Sequence, residues 1–198
     1  MRFSPQVGHP RIYSLVLAGG AAKAISLPFL AVQGPAFSRD GRRLSFIAGT
    51  NPPNTTDIAG ADALYVSMAD GSGVRRLTGG GVHVAAPAWS PDGKRIVFVR
   101  SAAKGNHSAL WVVDVASGRM RRLTYGDIDV EPSWAPDGRT IAFLRIDTET
   151  YQSGIWLVRA DGSGPHRILA GFRNATEPVW SPDGGRLLVE DGRALYSV

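Results

Sequence analysis

The stretch Pro87-Ala88-Trp89-Ser90-Pro91-Asp92-Gly93-Lys94-Arg95-Ile96-Val97-Phe98 holds the end of one strand, a tight turn and the start of a second strand. Its turn has a mechanism: proline presets φ at the second turn position, aspartate bonds back to the backbone, and glycine takes the left-handed conformation that closes a short hairpin. The same register returns without gaps in PAFSRDGRRLSF from Pro35, PSWAPDGRTIAF from Pro132 and PVWSPDGGRLLV from Pro178. The intervals of 52, 45 and 46 residues suit one propeller blade far better than a helical solenoid repeat.

Working outward, the second strand of each unit, Arg95 to Val99 or Thr140 to Leu144, is apolar at successive positions. That pattern belongs to a strand buried on both faces, as in blades stacked face to face. A third strand follows in Ala63 to Val66, Leu110 to Val113 and Ile155 to Val158, and turns such as Asp70-Gly71-Ser72-Gly73 and Asp161-Gly162-Ser163-Gly164 end it. The fourth strand, Val74 to Thr78 or Met120 to Thr124, is short and basic, as expected of an outer edge protected from pairing with a neighbouring molecule. With 24 glycines, 13 prolines and 43% hydrophobic residues in 198, the chain is expected to be all-β with a proper core.

The expected fold is a β-propeller of four-stranded antiparallel blades. Repeat units fall at 33–78, 85–124 and 130–169, with partial units at 12–27 and 176–198 and an N-terminal extension at 1–11. The first partial unit rests on setting Tyr13 against Tyr65, which places Gly19 on Gly71, Ile25 on Leu77 and Ser26 on Thr78. Three whole blades and two partial ones leave two arrangements open. The ends close a four-bladed ring, or the chain is an open or assembled arc with an apolar face, including Val179, Leu187 and Val189, exposed or covered by another copy.

The net charge of +5 comes from 22 Lys+Arg against 17 Asp+Glu, and the basic residues recur at one place in each unit rather than clustering with aromatics. Edge protection, not nucleic-acid binding, is the expectation. The absence of cysteine excludes disulfides, thiolate metal sites and cysteine nucleophiles. Arg2 and Arg11 precede an apolar stretch, and Ala22-Lys23-Ala24 has the small-x-small form of a leader cleavage site; Gly19 and Gly20 interrupt it, so it reads as a decayed repeat. No segment reaches transmembrane length.

The PAWSPDGKRIVF core with ALWVVDVASGRMRRLT downstream resembles the TolB-like, WD-repeat-related β-propeller family over nearly the whole chain. The resemblance implies the propeller fold, a role in protein binding and a cell-envelope or periplasmic location. It is poorly specific for activity, because similar blades accompany prolyl oligopeptidase-like hydrolases.

No serine lies in Gly-x-Ser-x-Gly, and there is no P-loop or dinucleotide fingerprint. His9, His83, His107 and His166 are scattered, so no metal site at histidine is expected, and neither is a catalytic or cofactor site. Asp40, Asp92, Asp137 and Asp183 recur because each turn needs an acceptor. The expected function is a non-catalytic protein-interaction or scaffold module with a protein or peptide partner, no membrane insertion, and self-association through terminal blades. The alternative is the accessory propeller of a hydrolase or lyase whose catalytic domain is encoded elsewhere.

Binding is expected where the units differ, on the face carrying the loops after strands two and four, such as Ser101 to Ser108 and Ile146 to Ser153. There Asp127, Asp129 and Glu131, with Asp147 and Glu149, form a local acidic group bordered by Tyr125 and Tyr151. His83 and Glu177 lie on the corresponding loops of other units. Such a group suits a basic partner segment, or a hard cation such as calcium.

Overall fold

The computed structural model describes residues 12–14, 22–29, 32–49, 62–79, 83–101, 107–172, 175–190 and 195–197. Residues 50–61, 102–106 and the N-terminal extension 1–11 lie outside them, as do 15–21 and 191–194 within the expected partial units. Every described element is a strand. β1 (Ile12–Ser14) and β2 (Lys23–Ile25) form an antiparallel pair, and β3 (Val32–Phe37), β4 (Arg43–Gly49), β5 (Asp62–Met68) and β6 (Arg75–Arg76) form a four-stranded meander. The pattern repeats in β7 (His83–Trp89), β8 (Arg95–Ser101), β9 (Ser108–Asp114) and β10 (Met120–Arg122). It returns in β11 (Ile128–Trp134), β12 (Thr140–Ile146), β13 (Ser153–Arg159) and β14 (His166–Phe172). Finally β15 (Val179–Trp180), β16 (Leu187–Glu190) and β17 (Leu195–Ser197) form a three-stranded sheet. Pairing within each unit is antiparallel; one parallel pairing, Ile128 with Ser108, joins β11 to β9.

The hairpins between first and second strands follow the turn chemistry of the sequence. Ser90 N donates to Arg95 O at 2.9 Å and Gly93 N to Ser90 O at 2.8 Å, with Gly93 at φ +65°. The Asp92 Oδ1 accepts from the Ser90 hydroxyl at 2.6 Å and from Lys94 N at 3.0 Å. The first strands β3, β7 and β11 also carry a bulge before their proline. Gly34, Ala86 and Glu131 sit at φ +57°, +47° and +52°, and the pairing with the second strand shifts there.

The core consists of seams between successive units. In one seam Val97, Val99, Leu110 and Val112 of the β7–β10 unit meet Trp134, Ile141, Phe143 and Val158 of the next. Ile47, Leu64 and Val66 meet Ile96, Phe98 and Val113 in the seam before it. Because side chains of a strand alternate, each unit has a forward side, such as Val97 and Val99, and a back side, such as Ile96 and Phe98. Both are buried, which is why the second strands read as unbroken apolar runs.

Alternation also corrects the expected exposure of the last unit. Leu187 and Val189 are 3% and 1% exposed, because they point back onto Ala142, Leu144 and Ile155. Leu188, between them, is 41% exposed and Val179 53%.

Polar bonds stitch the seams at fixed registers. The indole Nε1 of Trp89, Trp134 and Trp180 donates to the carbonyl of Ala36, Ala88 and Ser133 in the preceding unit, at 3.1, 3.1 and 3.2 Å. In the opposite direction, Arg43 and Arg95 donate to the turn carbonyls of Gly93 and Gly138 at 2.7 and 3.0 Å, while their guanidinium groups lie over Trp89 and Trp134. On the outer strands Arg75 donates to Val115 O, and Arg121 to Ala160 O at 2.6 Å. The basic fourth strands therefore do more than guard an edge: one arginine of each pair fastens its unit to the next.

Candidate functional site

The acidic loops of the β11–β14 unit divide once their partners are placed. Asp129 is fully buried; its carboxylate accepts from Arg145 Nε at 2.6 Å and Nη2 at 3.0 Å. That guanidinium lies over Trp156 at 4.4 Å, and a Cβ on Gly126 would run into it, so glycine is needed for the close approach. The Asp129 carbonyl accepts from the Ser108 hydroxyl at 2.9 Å, and the Asp127 carbonyl accepts from Ser108 N at 3.1 Å. This cluster ties β9 to β11 across a seam. Asp147 closes its own loop: the Thr150 N–H, the Thr150 hydroxyl and the Glu149 N–H hold its carboxyl below the usual carboxylate range.

Tyr125 and Tyr151 are 78% and 70% exposed. Arg122 lies over the Tyr125 ring at 4.5 Å. Asp127 is half-buried and Glu149 exposed. His83 is on β7, its Nε2 3.9 Å from an Asp62 carboxylate oxygen. Among the described residues no three metal-ligating side chains converge.

Glu131 and Glu177 belong together instead. Each precedes the proline of a first strand, and burial, followed by repulsion from Glu131, pushes the Glu177 carboxyl above its ordinary value. Glu177 lines a groove of roughly 530 Å³ along the first strands of four consecutive units. Phe37, Pro87, Trp89, Trp134, Val179 and Pro182 contribute apolar wall, with Arg39 at the first of these units and Glu177 at the last. The groove reaches the hairpin turns of the face that carries the short repeated loops. Sequence reasoning placed binding on the opposite face, and two departures from the repeat could have drawn attention here: Arg39 stands where other units have proline, and Phe37 where they have tryptophan.

No family model matches the chain. Its curated relatives include the Tol-Pal system protein TolB of Zymomonas mobilis, 37% identical over 68 residues, which is 34% of this chain and 15% of that protein. The TolB of Coxiella burnetii is 36% identical over 61 residues, 31% of this chain and 14% of the relative. The matches thus span less than a sixth of either relative's length. The solved structure of a putative TolB from Agrobacterium tumefaciens superposes with a TM-score of 0.74 at 26% identity, covering 94% of this chain and 65% of that one. The chain is a β-propeller similar in fold to TolB. TolB from Acinetobacter baumannii gives a TM-score of 0.71 at 23% identity over 98% of this chain and 49% of that protein. An oligogalacturonate lyase in complex with manganese shares the fold at 18% identity, with a TM-score of 0.67 over 94% of this chain and 53% of that one.

Proposed function

We propose that this TolB-like propeller is a non-catalytic protein-interaction module whose partner lies in the groove along the first strands. The observation that carries the reading is the groove's chemistry: aromatic and proline side chains from four units form a continuous wall, with a cation at one flank and a carboxylate at the other. Flat rings and prolines present apolar area at little cost in side-chain freedom, and opposed charges orient an extended segment laid along them. The similarity to Tol-Pal system proteins supports a protein partner. Among the loop residues, Asp127, Glu149, Tyr125 and Tyr151 form a second, weaker candidate surface, because Asp129 and Asp147 already hold internal bonds.

The two faces separate in one experiment. Partners captured from lysate by the wild-type chain are compared with those held by a groove variant, Phe37→Asp with Val179→Asp, and a loop variant, Asp127→Lys with Glu149→Lys. Loss of a partner in the groove variant alone supports the reading. A partner that survives the groove variant and is lost from the loop variant moves the site to the loops, and a partner indifferent to both refutes the assignment. The accessory-propeller reading predicts that the captured protein is a hydrolase or lyase.

A further inference from the structure

The four apolar seams share one polarity: the forward side of one unit meets the back side of the next, never forward on forward. At the two ends of the described array one half of this contact lacks its counterpart. On the last unit, Leu188 is 41% exposed, whereas Ser45, Val97 and Ala142 at the same register are each fully buried by the following unit. On the β1–β2 pair, Ile25 points forward into the first seam, while Tyr13 on the back side is 60% exposed; Tyr65, at the matching register, is 8% exposed. Neither β1 nor β17 has a strand on its other edge among the described residues.

We infer that a second copy of this chain covers these surfaces head to tail, the forward side of the β15–β17 unit of one copy resting on the back side of β1–β2 of the other. The occupant follows from continuity: the chain uses this forward-on-back contact repeatedly and carries both complementary halves itself. A contact between different patches leaves one free half on each side of the pair, so association runs past the dimer unless a ring closes. One residue moderates it. Glu190 is exposed on the forward side where Ile47, Val99 and Leu144 are 3%, 3% and 4% exposed, so the seam between copies is weaker than those within the chain.

The test uses the full chain in sedimentation velocity over a wide concentration range. Leu188→Lys blocks only the forward side and Tyr13→Lys only the back side; both replace exposed side chains, and circular dichroism checks that each variant folds. Wild type is expected to rise in mass with concentration and each variant alone to stay monomeric. A mixture of the two variants would restore only a Tyr13→Lys forward side against a Leu188→Lys back side, giving a complex that stops at two chains. Glu190→Leu is expected to tighten wild-type association roughly tenfold, the value of burying one leucine in place of a charge. A wild type that remains monomeric overturns the inference, as do variants that still self-associate alone or a mixture that forms no heterodimer. These outcomes are independent of partner capture in the groove, because Leu188, Tyr13 and Glu190 do not line it.

Discussion

Replacing Arg95 with methionine tests whether the polar stitches contribute to the seam or merely decorate it. Methionine keeps most of the apolar stem, so packing along the seam survives and the charged head is what is lost. That head donates a 3.0 Å bond to Gly138 O and lies 4.9 Å from the centre of the Trp134 ring. A hydrogen bond from a charged donor contributes about 1.5 kcal/mol at the low end, appropriate for a half-buried site. The cation over the ring adds about 0.5 kcal/mol. The expected cost is about 2 kcal/mol, or roughly 4–8 °C in melting temperature for a chain of this size. The assay is urea unfolding of wild type, Arg95→Met, Trp134→Phe and the double variant. Because the ring is shared, the two changes should fail to add by roughly 0.5 kcal/mol, whereas Arg95→Met with Trp180→Phe, whose indole bonds in the next seam, should add. A cost for Arg95→Met below about 0.5 kcal/mol, or full additivity with Trp134→Phe, would refute the view that arginine and tryptophan act together.

Glu177→Gln should raise the melting temperature at neutral pH, because burial and Glu131 penalise the charged carboxyl in the folded chain. A raised folded value means the penalty is complete above it and vanishes below the ordinary 4.5, so the gain should disappear when melting is repeated at pH 4 or lower. Gly71→Ala should loosen the β1–β2 pair: its φ is +89°, and a Cβ would meet Ser26 O at 2.7 Å, so amide exchange at Ile12 to Ser14 should quicken before exchange at β8 or β12. The Ser181 hydroxyl and the Gly185 N–H hold the Asp183 carboxyl below its ordinary 3.8. Its stabilising contribution is therefore complete at neutral pH, begins to fall near 3.8 and is lost as pH drops through the depressed value. Asp183→Ala should accordingly destabilise at pH 7 and lose its effect in strong acid, as followed by denaturant titration.

The turns were legible because their chemistry is local. A Ser-Pro-Asp-Gly run contains its own donors, acceptor and left-handed residue, and the bonds of Asp92 and Gly93 need nothing from the rest of the chain. The strands were legible from their apolar runs, and the family from the repeated blade core. What escaped depends on distance in sequence. Arg43 and Arg95 share a register, yet each bonds to a turn of the next unit, 50 and 43 residues onward, and that role cannot be read from their neighbours. Asp129 looked like part of an acidic surface because its partner, Arg145, meets it only after β11 pairs with β12. The groove was missed for the same reason, since four short strands from separate units build it.

The uniform seams also bear on how such a chain changes length. Because the stitches leaving the β3–β6 unit are of the same kind as those leaving the β7–β10 unit, excision or duplication of a whole unit there creates a junction whose chemistry already exists elsewhere in the molecule. Removing residues 87–131 would bring the carbonyl of Ala36 to the indole of Trp134 and the guanidinium of Arg43 to the turn carbonyl of Gly138, partners of the same types that Trp89 and Gly93 supply now. Recombination in steps of one unit is thus nearly silent for the fold while it lengthens or shortens the groove by one wall, so ligand size can drift faster than architecture.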